Sequence, residues 1–192
     1  AKQHGFVAHN YRGDNFVSSY RRRAFINYGN QPSMQTGYIF NYFGQPWLTQ
    51  KWVRDVIEEV YSDNDPQHGY SGDEDQGLMG ALSVLMKMGL FEMKGGADID
   101  PTYDLSSPVF DQIIIHLDKD YYPGGRFTIN TQNNSSKNKY IQSVKLNGAS
   151  MNQSWFHHND LVKGGVLEYV LGEEPNYDWA TADELLPSSM SD

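Results

Sequence analysis

The chain has 192 residues, of which 39% are hydrophobic and 20% charged, so it is long enough for one large domain or two small ones. Its net charge of −9 argues against a nucleic-acid partner, because phosphate binding requires clustered Lys and Arg. The absence of Cys excludes disulfides and zinc–thiolate sites, and no stretch approaches the ~18 apolar residues of a membrane span.

The first half of the chain has the periodicity of α-helices. Apolar residues recur at three- and four-residue spacing over 31–43, and again over 46–62 and 75–89. Gly44 and Gly89 follow the first and third of these stretches, as glycines commonly do after the last turn of a helix. The sequence therefore predicts a helix in each stretch.

The second half changes to the alternation typical of β-strands. Residues 109–117 are rich in Ile, and residues 140–146 place apolar side chains on one face of a period-two strand. The dipeptide Asn147-Gly148 is a strong signal for a two-residue hairpin turn. We therefore expect antiparallel strands within 109–172.

Helices followed by strands indicate the α+β fold class. The pattern divides the chain into a helical segment over 1–95, a linker over 96–107, an antiparallel β region over 108–175 and a flexible acidic tail over 176–192. A few helices with a sheet appended do not form a recognisable complete enzyme, so we expect the chain to be part of a larger protein.

The densest polar cluster is the stretch GDEDQG at 72–77. Asp73 and Asp75 are two residues apart, so in an extended loop both carboxylates point the same way. Such a pair can activate water as a general base or bind a hard cation. The alternative is a capping box that opens the third helix, with Asp73 as the N-cap and Gln76 as its partner.

A second polar cluster, GNQPS at 29–33, precedes the first predicted helix. The amide oxygens of Asn30 and Gln31 can bind Ca²⁺ or sugar hydroxyl groups. The alternative is a simple turn in which Asn30 caps the helix. The residues alone leave both interpretations open.

Five stretches distributed along the chain form a recognisable series. They are YGNQPSMQTGYIFNYFGQPWLTQKWVRDV, GDEDQGLMGALSVLMKMGLF, SPVFDQIIIHLD, NNSSKNKYIQSVKLNG and GGVLEYVLGEEPN. In this order and at these spacings they resemble the C-terminal part of glycoside hydrolase family 92. The resemblance covers about residues 25–175, which is nearly the whole chain.

This resemblance implies a Ca²⁺-dependent exo-α-mannosidase that hydrolyses α-mannosidic linkages of glycans with inversion of configuration. It also implies an N-terminal β-sandwich followed by an (α/α)6-type barrel. Residues up to about Leu90 would be the last helices of that barrel, and the strands after Pro108 would form a C-terminal β region. The expected partners are mannose-containing glycans and the missing N-terminal region of the same polypeptide.

The same resemblance assigns site residues. The family loop that carries the catalytic base maps onto Asp75, with Asp73 as a second carboxylate. The family's Asn-Glu-Pro-Ser loop, which helps to hold Ca²⁺ and sugar, maps onto a stretch in which Asn30 and Gln31 are the expected substrate and metal ligands. Gln31 stands where many members have Glu, and the loss of a carboxylate weakens Ca²⁺ binding electrostatically. The general acid is expected upstream of this chain.

Two interpretations of function follow. In the first, the chain is the C-terminal fragment of a secreted, periplasmic or cell-surface bacterial α-mannosidase, with the loop 73–75 supplying the base. Such a fragment would be inactive alone because half of its site lies elsewhere. In the second, it is a non-catalytic carbohydrate-binding or structural module, which the neutral Gln31 favours. No signal peptide is evident at the start, so export is an expectation from the family.

Overall fold

The computed structural model describes residues 28–29, 31–62 and 75–189. Its short 3-10 helices are Gln31–Ser33, Ile39–Phe43 and Asp183–Leu185, and its α-helices are α1 (Pro46–Val60), α2 (Leu78–Met88) and α3 (His158–Val162). Its strands are β1 (Leu90–Phe91), β2 (Thr102–Leu105), β3 (Gln112–His116), β4 (Arg126–Gln132), β5 (Tyr140–Leu146), β6 (Ala149–Met151), β7 (Trp155–His157) and β8 (Gly165–Gly172).

Helix α1 forms where the sequence predicts a helix over 46–62. Pro46 occupies its first turn, where a missing N–H removes no intrahelical hydrogen bond. Its apolar face is buried through Val53, Val56 and Val60, and burial of such a stripe supplies most of the stability of a helix in a protein.

Helix α2 is bounded by two glycines in the left-handed conformation. Gly77 precedes it with φ 94°, and Gly89 follows it with φ 76°. The N–H of Gly89 donates to the last-turn carbonyls of Leu85 and Met86. A Cβ at Gly89 would lie 2.7 Å from the carbonyl oxygen of Ser106, so only glycine fits at this helix end.

One predicted helix differs from the structure. The stretch 31–43 forms two 3-10 segments joined by turns instead of one α-helix, whereas α2 lies within the predicted stretch 75–89. Within the first stretch the N–H of Gly37 donates to the hydroxyl of Tyr28 at 2.7 Å. This tertiary hydrogen bond, together with the low helix propensity of glycine, accounts for the interruption.

The strands form two sheets, with the orders β1-β2-β7 and β3-β4-β8-β5-β6. All neighbouring strands are antiparallel except β4 and β8, which run parallel. The expectation of a purely antiparallel region is therefore wrong at this pair. The chain forms β5, β6, β7 and α3 before it returns as β8, and a connection of that length allows two strands to run in the same direction.

The hairpin predicted at Asn147-Gly148 is confirmed. These two residues join β5 to β6 and have φ values of 51° and 82°. A type I′ turn requires positive φ at both central residues, which Asn and Gly adopt more readily than other residue types.

A polar junction connects the first part of the chain to the sheets. One hydrophobic core lies around α1 and α2, and another lies on the five-stranded sheet. Between them the side-chain amide of Asn41 donates to Asp104 and to the carbonyl of Leu105, both at 3.2 Å. The hydroxyl of Tyr38 lies 3.2 Å from that of Ser106. These bonds fix the 3-10 helix Ile39–Phe43 against β2.

The (α/α)6 barrel and the division of the chain into four segments stay predictions. Strand β2 lies within 96–107, where the sequence pattern indicated no element. Trp179, in the expected tail, is 6% exposed, and its indole N–H donates to the carbonyl of Met151 at 2.9 Å. Within the described residues, no helix has both the length and the apolar character that crossing a membrane requires.

Candidate active site

The turn that leads into α2 has an unusual backbone. Asp75, Gln76 and Gly77 have φ values of 52°, 61° and 94°, so three successive residues have a left-handed backbone conformation. Asp tolerates this region better than most side chains, and Gly adopts it without strain. The N–H of Leu78 closes the turn on the carbonyl of Asp75 at 3.3 Å.

This turn contradicts the capping-box interpretation. The N-cap of α2 is Gly77, which has no capping side chain of its own. Gln76 is exposed and precedes the helix instead of occupying its third position. Asp73, the expected cap and second carboxylate, lies outside the described residues.

The carboxylate of Asp75 is the most notable group of the turn. Its Oδ2 atom is buried and has no hydrogen-bond partner among the described residues, although the side chain as a whole is partly exposed. Buried polar atoms in proteins are nearly always hydrogen-bonded, so such an oxygen requires an explanation. A carboxylate held in this way is able to accept a proton from a water molecule or to bind a cation.

The other candidate loop is only partly described. Gln31 begins the first 3-10 helix with an exposed side chain, and its carbonyl accepts a hydrogen bond from the N–H of Met34 at 3.1 Å. Asn30 lies outside the described residues. Among the described residues, no hydrogen bond joins Gln31 to Asp75.

The segments beside the two loops are nevertheless connected through Tyr61, at the end of α1. Its hydroxyl donates to the carbonyl of Tyr28 at 2.6 Å and lies 3.9 Å from the sulfur of Met79. Tyr28 is two residues before Asn30, and Met79 is four residues after Asp75. Burial raises the pKa of Tyr61, so its hydroxyl stays protonated and remains a donor.

The described residues do not provide a complete calcium site. Ca²⁺ takes about 6–8 oxygen ligands, and no group of three or more His, Cys, Asp or Glu within the described ranges could hold a metal ion. Gln31 and Asp75 offer one amide oxygen and one carboxylate. A Ca²⁺ site would therefore need ligands from Asn30, Asp73 or another part of the polypeptide.

The sequence pattern gave no sign of one buried acid. Asp104, on β2, is fully buried and accepts hydrogen bonds from the side chains of Asn41 and Tyr42 at 3.2 and 3.3 Å. Burial raises the pKa of Asp104 to about 7, against the lowering effect of these bonds. Its position between the two cores indicates a structural role.

The family is established by comparison with known proteins. The sequence matches the model of the glycosyl hydrolase family 92 catalytic domain over residues 6–173. The chain therefore belongs to glycosyl hydrolase family 92, as the five stretches indicated.

Similar proteins come from a fungus and a bacterium. An uncharacterized secreted glycosidase from Arthroderma benhamiae is 33% identical over 164 residues, which are 84% of this chain and 20% of that protein. The inverting mannosidase BT2199 of family GH92 from Bacteroides thetaiotaomicron is 31% identical, with a TM-score of 0.78 over 97% of this chain and 25% of that one. The GH92 alpha-mannosidase BT3965 from the same species, in complex with mannoimidazole, is 27% identical, with a TM-score of 0.76 over 85% of this chain and 20% of that one. The chain thus spans about a fifth to a quarter of the length of these relatives.

Proposed function

We propose that the chain forms the C-terminal part of an exo-α-mannosidase that hydrolyses α-mannosidic linkages of glycans with inversion. Family membership and the mannosidases among its structural neighbours support the class of reaction. The observation that carries the proposal for this chain is the buried, unpartnered Oδ2 of Asp75 in a left-handed turn.

The proposed chemistry follows from what inversion requires. A general base removes a proton from water, the water oxygen attacks the anomeric carbon, and the glycosidic bond breaks as a general acid protonates the leaving oxygen. The two carboxyl groups stand about 6.5–9.5 Å apart to leave room for the water. Asp75 is the base in this proposal, and Asp73 is a second carboxylate of the same loop. The general acid belongs to another part of the polypeptide.

The second loop binds the sugar in this proposal. Asn30 and Gln31 carry amide groups that both donate to and accept from sugar hydroxyl groups. The same oxygens are the proposed calcium ligands, and Ca²⁺ would supply a positive charge that orients the sugar hydroxyls. Gln31 is neutral, so we expect weaker calcium binding than a Glu at this position would give.

Two further expectations belong to the whole protein. The secreted glycosidase among its relatives supports secretion of the parent enzyme. The chain covers only about a fifth to a quarter of the solved mannosidases, so the remaining site residues would come from elsewhere in the polypeptide. We therefore propose that the isolated chain is inactive.

The test is the substitution Asp75→Asn in the full-length polypeptide. Asn keeps the shape of the side chain, tolerates positive φ and removes the base. We expect kcat on an α-mannoside to fall about 10²–10⁴-fold, which is the usual contribution of general acid–base catalysis, with an unchanged Tm. Asp120→Asn, at an exposed position, is the matched control. A loss below about threefold in Asp75→Asn would contradict the role of Asp75 as the base.

The second candidate function is a non-catalytic carbohydrate-binding or structural module. The exposed, neutral Gln31 favours it, because an amide binds Ca²⁺ more weakly than the carboxylate that many family members have at this position. This alternative predicts that the full-length polypeptide binds α-mannosides without releasing mannose. Turnover by the wild-type polypeptide would exclude it.

A further inference from the structure

One cavity shares no lining residue with the described parts of the two candidate loops. Its volume is about 500 Å³, and it lies between β7, the segment 98–102 and the 3-10 helix Asp183–Leu185. None of its lining residues belongs to the stretches 28–33 or 75–78. The volume is within the range of about 300–1,000 Å³ that is typical of small-molecule sites.

Trp155 forms an aromatic wall of this cavity, and two contacts fix its orientation. Its indole N–H donates to the carbonyl of Leu185 at 3.0 Å. Its ring meets that of His157 edge to face, with centroids 5.1 Å apart and an interplanar angle of 87°. A preorganised aromatic ring presents a flat apolar face at low entropic cost. The C–H groups on one face of a hexose pack against such a surface.

The part of the cavity lined by Asp183 and Glu184, its acidic rim, offers hydrogen-bond acceptors. The side chains of Asp183 and Glu184 are exposed and form no hydrogen bond or ion pair with any residue in the described part of the chain. Ionised carboxylates accept hydrogen bonds from several hydroxyl groups at once. These two groups are therefore available to a ligand.

Other acidic groups of the cavity already have partners. Asp100 lies 2.9 Å from Nδ1 of His157 and accepts a hydrogen bond from Asn159 at 3.1 Å. Lys94 pairs with Asp98 at 2.7 Å. These contacts orient the wall and leave Asp183 and Glu184 as the unoccupied acceptors.

The charge of the cavity selects among ligands. Four carboxylates and the imidazole of His157 line it, and Lys94 contacts two of its lining residues, Asp98 and Ser188. The excess negative charge repels anionic ligands such as uronic acids or phosphosugars. A neutral ligand with an apolar face and several hydroxyl donors matches both the aromatic wall and the acidic rim.

We propose that this cavity is an accessory subsite for a neutral hexose unit of a glycan. The sugar ring packs on Trp155, and its hydroxyl groups donate to Asp183 and Glu184. The choice of mannose as the hexose rests on the proposed function, whereas the subsite itself does not. Such a subsite would hold a glycan on the enzyme away from the loop of Asp75.

The experiment is a titration of the 192-residue chain with methyl α-D-mannopyranoside, followed by NMR. The reporter is the indole N–H signal of Trp155, assigned by its loss in Trp155→Phe. We expect a saturable shift of this signal. Glucuronate, which is anionic, should cause no saturable shift.

The double variant Asp183→Asn, Glu184→Gln tests the rim. A lost hydrogen bond to a charged group reduces binding by about tenfold or more, so we expect at least that increase in Kd. Glu173→Gln, at an exposed position outside the cavity, is the matched control and should leave Kd unchanged. Circular dichroism of each variant checks that the fold is retained.

Several outcomes would overturn the subsite. They are the absence of a saturable shift at Trp155, an unchanged Kd in the double variant, and binding of glucuronate as strong as that of the mannoside. A shift caused by CaCl₂ alone, with no effect of the sugar, would identify a cation site instead. If the mannoside shifts Trp155 while Asp75→Asn keeps full kcat, the subsite stands and the proposed base fails. If Asp75→Asn loses kcat while the mannoside causes no shift at Trp155, the proposed base stands and the subsite fails.

Discussion

The hydroxyl group of Tyr61 donates a 2.6 Å hydrogen bond to the backbone carbonyl of Tyr28, across 33 residues of sequence. Both side chains are buried, and burial raises the pKa of each phenol, so both remain protonated. The bond fixes the segment before Asn30 to the end of α1. Because Tyr61 also touches Met79, a single side chain connects the segments beside both candidate loops.

We expect Tyr61→Phe to lower the free energy of unfolding by about 0.5–1.5 kcal/mol. The ring remains, but the hydrogen bond from Tyr61 to the carbonyl of Tyr28 is lost. Urea denaturation of the chain measures the change. Tyr121→Phe, whose ring is 78% exposed, is the control and should change stability by less than about 0.5 kcal/mol. Equal effects of the two substitutions would show that the buried bond contributes nothing.

Arg54 connects α1 to two loops of the β half. Its guanidinium donates to the carbonyls of Pro108 and Ser135 at 2.5 and 2.7 Å, and the residue is 4% exposed. Lys cannot reproduce the planar fork of Arg, so Arg54→Lys should lose at least one of these two hydrogen bonds. We expect a loss of about 1–3 kcal/mol in urea denaturation. Arg126→Lys, at an exposed position of β4, should be near neutral, and a neutral Arg54→Lys would refute the connection.

Asp104 should make stability depend on pH. Its pKa is about 7 in the folded state, against a value of 3.8 for an unperturbed carboxyl group. Between these values the folded protein binds a proton that the unfolded chain has lost. Stability therefore falls as pH rises through this window, by at most ~1.4 kcal/mol per pH unit, and the penalty is constant above pH 7. Nearby, Glu92 raises the pKa of Asp104 and Lys94 lowers it.

The substitution Asp104→Asn isolates this effect. Asn stays neutral, its Oδ1 can still accept the bond from Asn41, and its NH₂ group can donate to the hydroxyl oxygen of Tyr42, which now acts as the acceptor. Other carboxylates also titrate, so the measured quantity is the difference in unfolding free energy between variant and wild type. We expect this difference to favour the variant increasingly from pH 5 to about pH 7 and then to level off. A difference independent of pH, as expected for the exposed control Asp120→Asn, would contradict the raised pKa.

Local patterns predicted those features that depend on neighbours in sequence. The apolar stripe of α1 and the turn at Asn147-Gly148 are of this kind. The break in the helix expected over 31–43 depends on a hydrogen bond from Gly37 to the distant hydroxyl of Tyr28, which no local pattern contains. The parallel pairing of β4 with β8 depends likewise on the path of the intervening chain.

In the candidate site, too, the features that depend on tertiary structure could not be predicted from local patterns. Spacing alone suggested a capping box at Gln76, because it could not reveal three successive residues in the left-handed region. Asp75 was selected by the family resemblance, and its buried Oδ2 atom is a fact of tertiary structure. Asp104 is one acid in an ordinary strand, so nothing in the pattern distinguished it. Polar residues acquire their roles through burial, which sequence spacing does not report.

The isolated chain should have no mannosidase activity of its own. An inverting glycosidase needs its acid and its base on opposite sides of the same bond, and the proposal places only the base here. Removal of a catalytic acid–base group costs about 10²–10⁴-fold, and loss of most of the substrate-binding surface adds to that. We therefore expect the isolated chain, folded by circular dichroism and supplied with Ca²⁺, to release no mannose above the buffer rate from an α-mannoside. The full-length polypeptide is the positive control, and its Asp75→Asn variant shows the level expected without the base. Turnover by the isolated chain near the full-length rate would show that the acid lies within these 192 residues, and would require a new assignment of the site.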